Sequence, residues 1–295
     1  MNSKLINWLL FSVLAIIWGS SFILIKEGLV HLTAFQVASL RIISSGIVLL
    51  PMAYKAFREI PRNKMFIVFM SGVMGSLLPA FLFCIAEEEI DSALAGTLNS
   101  LTPIFVIIIG AMFFGSKTSA AKVLGIIIAF SGSVLLFVNQ PHFSEKNNLV
   151  YVIYIVIATL LYGINVNMVQ RHLKNVPSVK AVSAALTLNS IPALIVLYFT
   201  GFFQLDLTDP GILASTGYSF ILGIFGTAIA SILFYILIKR AGAVFSSMVT
   251  YGIPVVANFW GILYGEYIGW IQVLCLAIIL TGVYVANRKV VKGEK

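Results

Sequence analysis

The chain has 295 residues, 60% of them hydrophobic and 10% charged, with a formal net charge of +8 and a mean hydropathy of +1.02. A soluble domain dresses its surface with roughly 25% charged residues, so a water-soluble globular protein is excluded and lipid is the main solvent. The basic residues form no long run, which excludes a nucleic-acid-binding arm and makes the positive charge a statement about membrane topology.

A bilayer core takes about 20 apolar residues per helix. Ten stretches meet that length, at residues 5–25, 34–54, 66–86, 91–114, 120–138, 149–169, 180–200, 217–237, 243–264 and 268–286. The first follows Lys4, as a secretory signal would, but Ile16, Ile17 and Trp18 are too bulky for a cleavage site. It is read as a helix with Trp18, Ser20 and Ser21 in its middle and Lys26 at its outer end. Lys26 reads as a snorkelling anchor near the outer mouth. The second span carries Arg41 about two turns in, on the order of 10 Å deep. That guanidinium is either tied to backbone carbonyls or an anchor for a carboxylate or phosphate, which it grips bidentately.

The third span runs into an acidic loop, Glu87, Glu88, Glu89 and Asp91, read as a solvated outer rim with one or two acids lining a vestibule. The fourth offers Thr97, Asn99, Ser100 and Thr102 before Pro103. The sixth offers Tyr162, Asn165 and Asn167. "QLDLTDPGILAST" reads as a loop before the eighth. The ninth offers Ser246, Ser247, Thr250 and Tyr251 before Pro254, with Glu266 as a turn or cap residue at the outer rim. Each proline removes a donor and frees the carbonyl four residues back, at Asn99 and Thr250, which marks Pro103 and Pro254 as kink or gating positions.

Every Lys and Arg except Lys26, Arg41 and Lys146 falls on one side of the ten spans, and this bias puts both termini in the cytoplasm. The second half also repeats the first. Gly72, Gly75, Phe83 and Pro103 meet Gly223, Gly226, Phe234 and Pro254 at a constant offset of 151. At an offset of 144, Trp18 and Gly19 meet Tyr162 and Gly163, and Ser39 meets Ser183. Two repeats, 1–140 and 141–295, thus hold five spans each. Five is odd, so the second copy is inverted in the membrane, as in many secondary transporters. The expected fold is an all-α membrane protein of ten transmembrane helices in two inverted five-helix repeats.

Such repeats place a site at their interface near the midplane, and rocking of the halves exposes it to alternate sides. Mid-span polar residues avoid lipid and face protein or a water-filled cavity. Trp18 and Ser21 are three residues apart and share a helix face; Tyr162 and Asn165 repeat that spacing. The candidate cavity lining is Trp18, Ser20, Ser21, Arg41, Asn99, Tyr162, Asn165 and Tyr251. The three histidines lie in loops or at their edges, Cys84 and Cys275 stand alone in apolar runs, and no HExxH, GxSxG or P-loop is present. No catalytic residue, metal site or cofactor is expected. The competing readings are a lipid-modifying membrane enzyme and a non-transporting accessory subunit.

"WGSSFILIKEGL", "FQVASLRIISSGIVLL", "SALAGTLNSLTPIFVIIIGAMFFG" and "LGIIIAFSGSVLLF" resemble, in that order, the first repeat of an EamA-type transporter of the drug/metabolite transporter superfamily. "GAVFSSMVTYGIPVVANFWGILYGEYIGWIQVLCLAIILTGVYV" resembles the end of the second. The resemblance implies a central cavity lined mainly by helices one to four and six to nine. It also implies movement, mostly export, of small metabolites, amino acids or drugs across a bacterial inner membrane. It matches Trp18, Gly19, Lys26, Arg41 and Pro103, and then Pro254, Gly265, Glu266 and Gly282, to commonly retained positions. Two departures stand out: Ser116 where the second repeat has Glu266, and the run Glu87–Glu89. The implied partners are a small-molecule substrate and the lipid bilayer; a monomer and a homodimer both fit.

Overall fold

The structure, a computed structural model, describes residues 3–90, 92–139, 149–256 and 269–287. Among them are helices and turns but no strand. Helices satisfy every backbone polar group within the segment, which a bilayer demands. Glu266, Gly265, Asp91, the boundary between the two expected repeats and the basic tail from Arg288 onward lie outside the described residues.

The helices are α1 (Ser3–Gly28), α2 (Ala34–Glu59), α3 (Arg62–Gly72), α4 (Leu78–Glu87), α5 (Ser92–Asn99), α6 (Thr102–Phe114), α7 (Ala120–Val138), α8 (Leu149–His172) and α9 (Ser178–Phe199). They continue with α10 (Pro210–Ile221), α11 (Ala230–Ala241), α12 (Ala243–Ser247) and α13 (Trp270–Asn287). Eight continuous helical stretches among the described residues are long and apolar enough to cross a bilayer: Lys4–Gly28, Ala34–Glu59, Arg62–Glu87, Leu94–Phe114, Val150–His172, Ser178–Phe199, Pro210–Ala241 and Trp270–Asn287. Ala120–Leu136 and Ala243–Val256 are shorter apolar helices at the places of the expected fifth and ninth spans.

One expected loop is largely helix. Asp209 caps α10, its carboxylate accepting from the N–H groups of Gly211 and Ile212, and Pro210 occupies the first turn. An aspartate cap followed by proline is a strong start signal, so the eighth span begins at Pro210 rather than 217. Just before it, the Thr208 hydroxyl and backbone N–H both donate to Asp206 and hold its carboxyl below the usual range. The acidic loop also has a local task. Thr33 and Gln36 form a reciprocal capping box on α2, and a Glu88 carboxylate oxygen accepts from the Ala34 N–H at 2.8 Å. An anion there complements the positive end of the helix.

The two most extensive pairings are α2 with α9 and α7 with α13. Small residues let the second pair close. A Cβ built on Gly282 would lie 2.4 Å from the Ala129 backbone nitrogen, and one on Gly125 would lie 2.4 Å from that of Ala286. Membrane helices lack a hydrophobic drive to associate and rely on such close contact. Gly282→Leu is therefore expected to destabilise the fold by about 2–3 kcal/mol through overpacking, read as a lower thermal midpoint in detergent. Between these pairs, α8 packs on α4 and α6, and α1 on α10 and α11.

Candidate functional site

Two spans share an unusual feature at their centres. Between α3 and α4, Val73–Leu77 winds as a π-helix, with the Leu78 N–H bonded five residues back to Val73. Between α10 and α11, Leu222–Ile229 does the same, with the Ala230 N–H bonded to Phe225. Pro79 lacks the N–H that an α-helix would send to Gly75, which accounts for the first; the matching Ala230 shows that proline is not required for the second. Such widened turns recur at functional sites.

Each π-turn carries a glycine against which a polar side chain from another helix is pressed. A Cβ on Gly75 would lie 2.2 Å from Asn165 Nδ2 on α8, and one on Gly226 would lie 2.8 Å from Ser21 Oγ on α1. These contacts border a cavity of about 80 Å³. Its wall takes Trp18, Ser21, Phe22 and Ile25 from α1, Arg41 from α2, and Phe83 from α4. Asn99 and Thr102 come from the two sides of the α5–α6 break, and Tyr162, Asn165 and Val166 from α8. Gly226, Thr227, Ser231, Phe234 and Tyr235 come from the eighth span, with Ser247, Thr250 and Ile253 from the ninth.

The polar groups are held in place. Trp18 Nε1 donates to the Gly226 carbonyl at 3.0 Å, and its ring meets Phe234 edge-on at 5.0 Å. Arg41 Nε donates to Thr227 Oγ1 at 2.7 Å. The Tyr235 hydroxyl donates to Asn165 Oδ1 at 3.2 Å, and Thr102 Oγ1 donates to Asn99 Oδ1 at 3.2 Å. Phe22, Phe83 and Tyr162 form a chain of rings with centroids 6.1 and 6.2 Å apart. Among the described residues no carboxylate pairs with Arg41, and no Asp or Glu lines the cavity.

Six of the eight expected lining residues therefore meet at one cavity: Trp18, Ser21, Arg41, Asn99, Tyr162 and Asn165. Ser20 and Tyr251 do not line it. Ser20 lies one residue off the face that Trp18 and Ser21 share. Tyr251 is fully buried elsewhere, its hydroxyl donating to the Ile126 carbonyl of α7 at 3.1 Å. The cause is a 3-10 turn, Met248–Gly252, which turns Thr250 to the cavity and its neighbour Tyr251 away. That turn also corrects the expectation of a free Thr250 carbonyl, which accepts from the Ile253 N–H. Pro103 stands in the first turn of α6, after a break at Ser100–Leu101 where Thr97 and Leu98 carbonyls accept from residues three ahead. Both Pro103 and Pro254 are buried.

Asn167, one face round from Asn165, donates to the carbonyls of Val106 and Gly163, both at 2.9 Å, and staples α6 to α8. Lys26 is exposed in the last turn of α1. Glu87 ends α4 with one carboxylate oxygen accepting from the Ser92 hydroxyl at 2.8 Å. The third and eighth spans supply a wall that the sequence reading passed over. Thr227, Ser231 and Tyr235 recur at every fourth position, which is one helix face and a usable signal.

The EamA-like transporter family profile matches residues 6–138 and again 149–288. The chain belongs to that family: it is a membrane transporter and not an enzyme. An uncharacterised transporter of Archaeoglobus fulgidus is 28% identical over 290 residues, covering 96% of this chain and 99% of the relative. A protein of Escherichia coli named as a probable amino-acid metabolite efflux pump is 28% identical over 126 residues, 42% of this chain and 40% of its own. A solved structure described as "Crystal structure of protein" superposes with a TM-score of 0.73 at 17% identity, covering 97% of this chain and 96% of that one; that likeness speaks to the fold.

Proposed function

We propose that the protein is a secondary transporter that moves a small metabolite outward across the bacterial inner membrane by alternating access. The proposed frame is ten transmembrane helices in two inverted repeats, 1–140 and 141–295, with both termini cytoplasmic. Three observations support that frame. The family profile matches twice. Helix pairings come in reciprocal sets: α1 packs on the eighth span as α8 packs on the third, while α2–α9 and α7–α13 pair corresponding helices. The two π-turns also fall at matching positions. The Lys and Arg bias supports the orientation.

The single observation that carries the cargo reading is Arg41 in the wall of a mid-span cavity that, among the described residues, is lined by aromatic rings and no carboxylate. A cation with no salt bridge among the described residues, in the same wall as Phe22, Phe83 and Tyr162, fits a small solute with an anionic group and an apolar body, because a guanidinium holds a carboxylate bidentately. Organic acids and amino acids both meet that description, and the name of the Escherichia coli relative supports keeping amino acids among the cargoes. Flux of paired carboxylate and neutral solutes into and out of proteoliposomes tests the reading. Saturable carboxylate flux is expected; absence of flux across amino acids, organic acids, nucleosides and dyes would count against it.

A further inference from the structure

A second cavity, of about 510 Å³, lies where the basic loops gather, between the α2–α3 turn and the α8–α9 turn. Its size falls in the range of small-molecule sites. Lys64, Arg171, Lys174 and Lys180 line it against one acid, Glu59. That acid is already ion-paired to Lys180, so among the described residues Lys64, Arg171 and Lys174 have no counter-ion. Arg171 and Lys174 are exposed and Lys64 is half-buried. A concave wall of one sign focuses its field and concentrates counter-charge.

The turns themselves are built alike, an aliphatic residue followed by proline: Ile60–Pro61 and Val176–Pro177, all four lining the cavity. Ile60 and Val176 are buried in the same apolar cluster, which fixes both turns. The prolines precede α3 and α9, and neither helix start has a side-chain cap. Their N-terminal ends bring partial positive charge to the same end of the fold. The Lys239 ammonium donates to the Val176 carbonyl and braces this turn from α11.

We propose that this pocket binds a phosphate group, supplied by the headgroup of an anionic phospholipid on the side of the membrane where the basic loops lie. Basic pockets between the ends of membrane helices suit such headgroups. Phe66 on α3 and Val179 on α9 are exposed apolar residues just beyond the turns, as an acyl chain requires. The site is separate from the central cavity and shares none of its lining residues.

The test uses the full chain purified in neutral detergent and titrated, at fixed ionic strength, with dioctanoyl-phosphatidylglycerol, dioctanoyl-phosphatidylcholine or inorganic phosphate while thermal unfolding is followed. The anionic lipid is expected to raise the midpoint by at least about 3 °C at saturation, as a ligand of the folded state does, and the zwitterionic lipid to leave it unchanged. The triple variant Lys64→Gln/Arg171→Gln/Lys174→Gln is expected to weaken the response at least tenfold. Should that variant misfold, the exposed single change Arg171→Gln replaces it, with an expected loss of about threefold. A matching shift from inorganic phosphate alone would uphold the pocket and assign it to free phosphate. No shift from either anion, an equal shift from the zwitterionic lipid, or an undiminished shift in the variants would overturn the proposal.

Discussion

Arg41→Ala is expected to cut flux of a carboxylate cargo by roughly 100-fold while reducing a neutral analogue of the same shape less than tenfold. The reasoning is electrostatic. The guanidinium sits about two turns inside α2, on the order of 10 Å deep, and its Nε is held by Thr227 Oγ1. Among the described residues no carboxylate forms a salt bridge with it, so the guanidinium can pair with a carboxylate of the cargo. Removing one member of a desolvated charge pair costs about 3 kcal/mol or more, which is about two powers of ten in rate. Arg41→Lys keeps the charge but loses the bidentate fork, so an intermediate loss is expected. Equal loss for charged and neutral cargo, accompanied by poor expression, would instead mark Arg41 as structural.

The second large effect is expected from Gly226→Val. The glycine lies in the π-turn of the eighth span, where a Cβ would stand 2.8 Å from Ser21 Oγ and 3.0 Å from Leu222 Cδ1. Its carbonyl also receives the Trp18 indole N–H. Three added carbons must therefore either enter a cavity of about 80 Å³ or push α1 away. Flux is expected to fall at least tenfold, consistent with an overpacking cost of about 1–3 kcal/mol. Gly217→Val in α10 is the control: a Cβ there meets nothing within 4 Å, so flux should stay within twofold of the parent. Flux and thermal midpoint measured on the same preparations separate a blocked path from a damaged fold. Comparable loss in both variants would remove the special status of Gly226.

Different parts of the molecule were legible to different degrees. Hydropathy marks spans directly, because a helix that satisfies its own backbone must be apolar outside. The pairs Trp18–Ser21 and Tyr162–Asn165 were legible for a similar reason: in a regular helix, positions three apart share a face. That rule fails where the helix is irregular. Tyr251 sits in a 3-10 turn, so the periodicity that would have aimed it at the cavity does not apply, and Thr250 takes the place. The π-turn glycines leave no side-chain signal, and Gly75 and Gly226 read only as repeat markers until their contacts with Asn165 and Ser21 are seen. The eighth span began earlier than hydropathy alone suggested because the decisive information was a cap, Asp209–Pro210, and not an apolar run.

The acidic loop offers a further contrast. As a run of charges it reads as a rim, and Glu88 and Glu89 are exposed; in addition Glu88 closes the N-terminus of α2 and Glu87 takes the Ser92 hydroxyl. Helix-end carboxylates are common solutions to unsatisfied N–H groups, and the sequence does not say which helix end a loop residue will meet.

The central claim is that the two halves must move against one another for cargo to cross. At the basic end, Asn7 on α1 accepts a hydrogen bond from Arg240 Nε on α11 at 3.1 Å, which brings the first half of the chain against the second. With Cys84 and Cys275, both buried, replaced by alanine, the pair Asn7→Cys and Arg240→Cys can be bridged in proteoliposomes by a short bis-methanethiosulfonate, which forms a reducible disulfide with each thiol and releases a sulfinate from each end. The measurement is carboxylate flux before bridging, after bridging and after reduction. The account predicts that flux stops on bridging and returns on reduction, while each single-cysteine variant is unaffected by the reagent. Undiminished flux through fully bridged protein would contradict it.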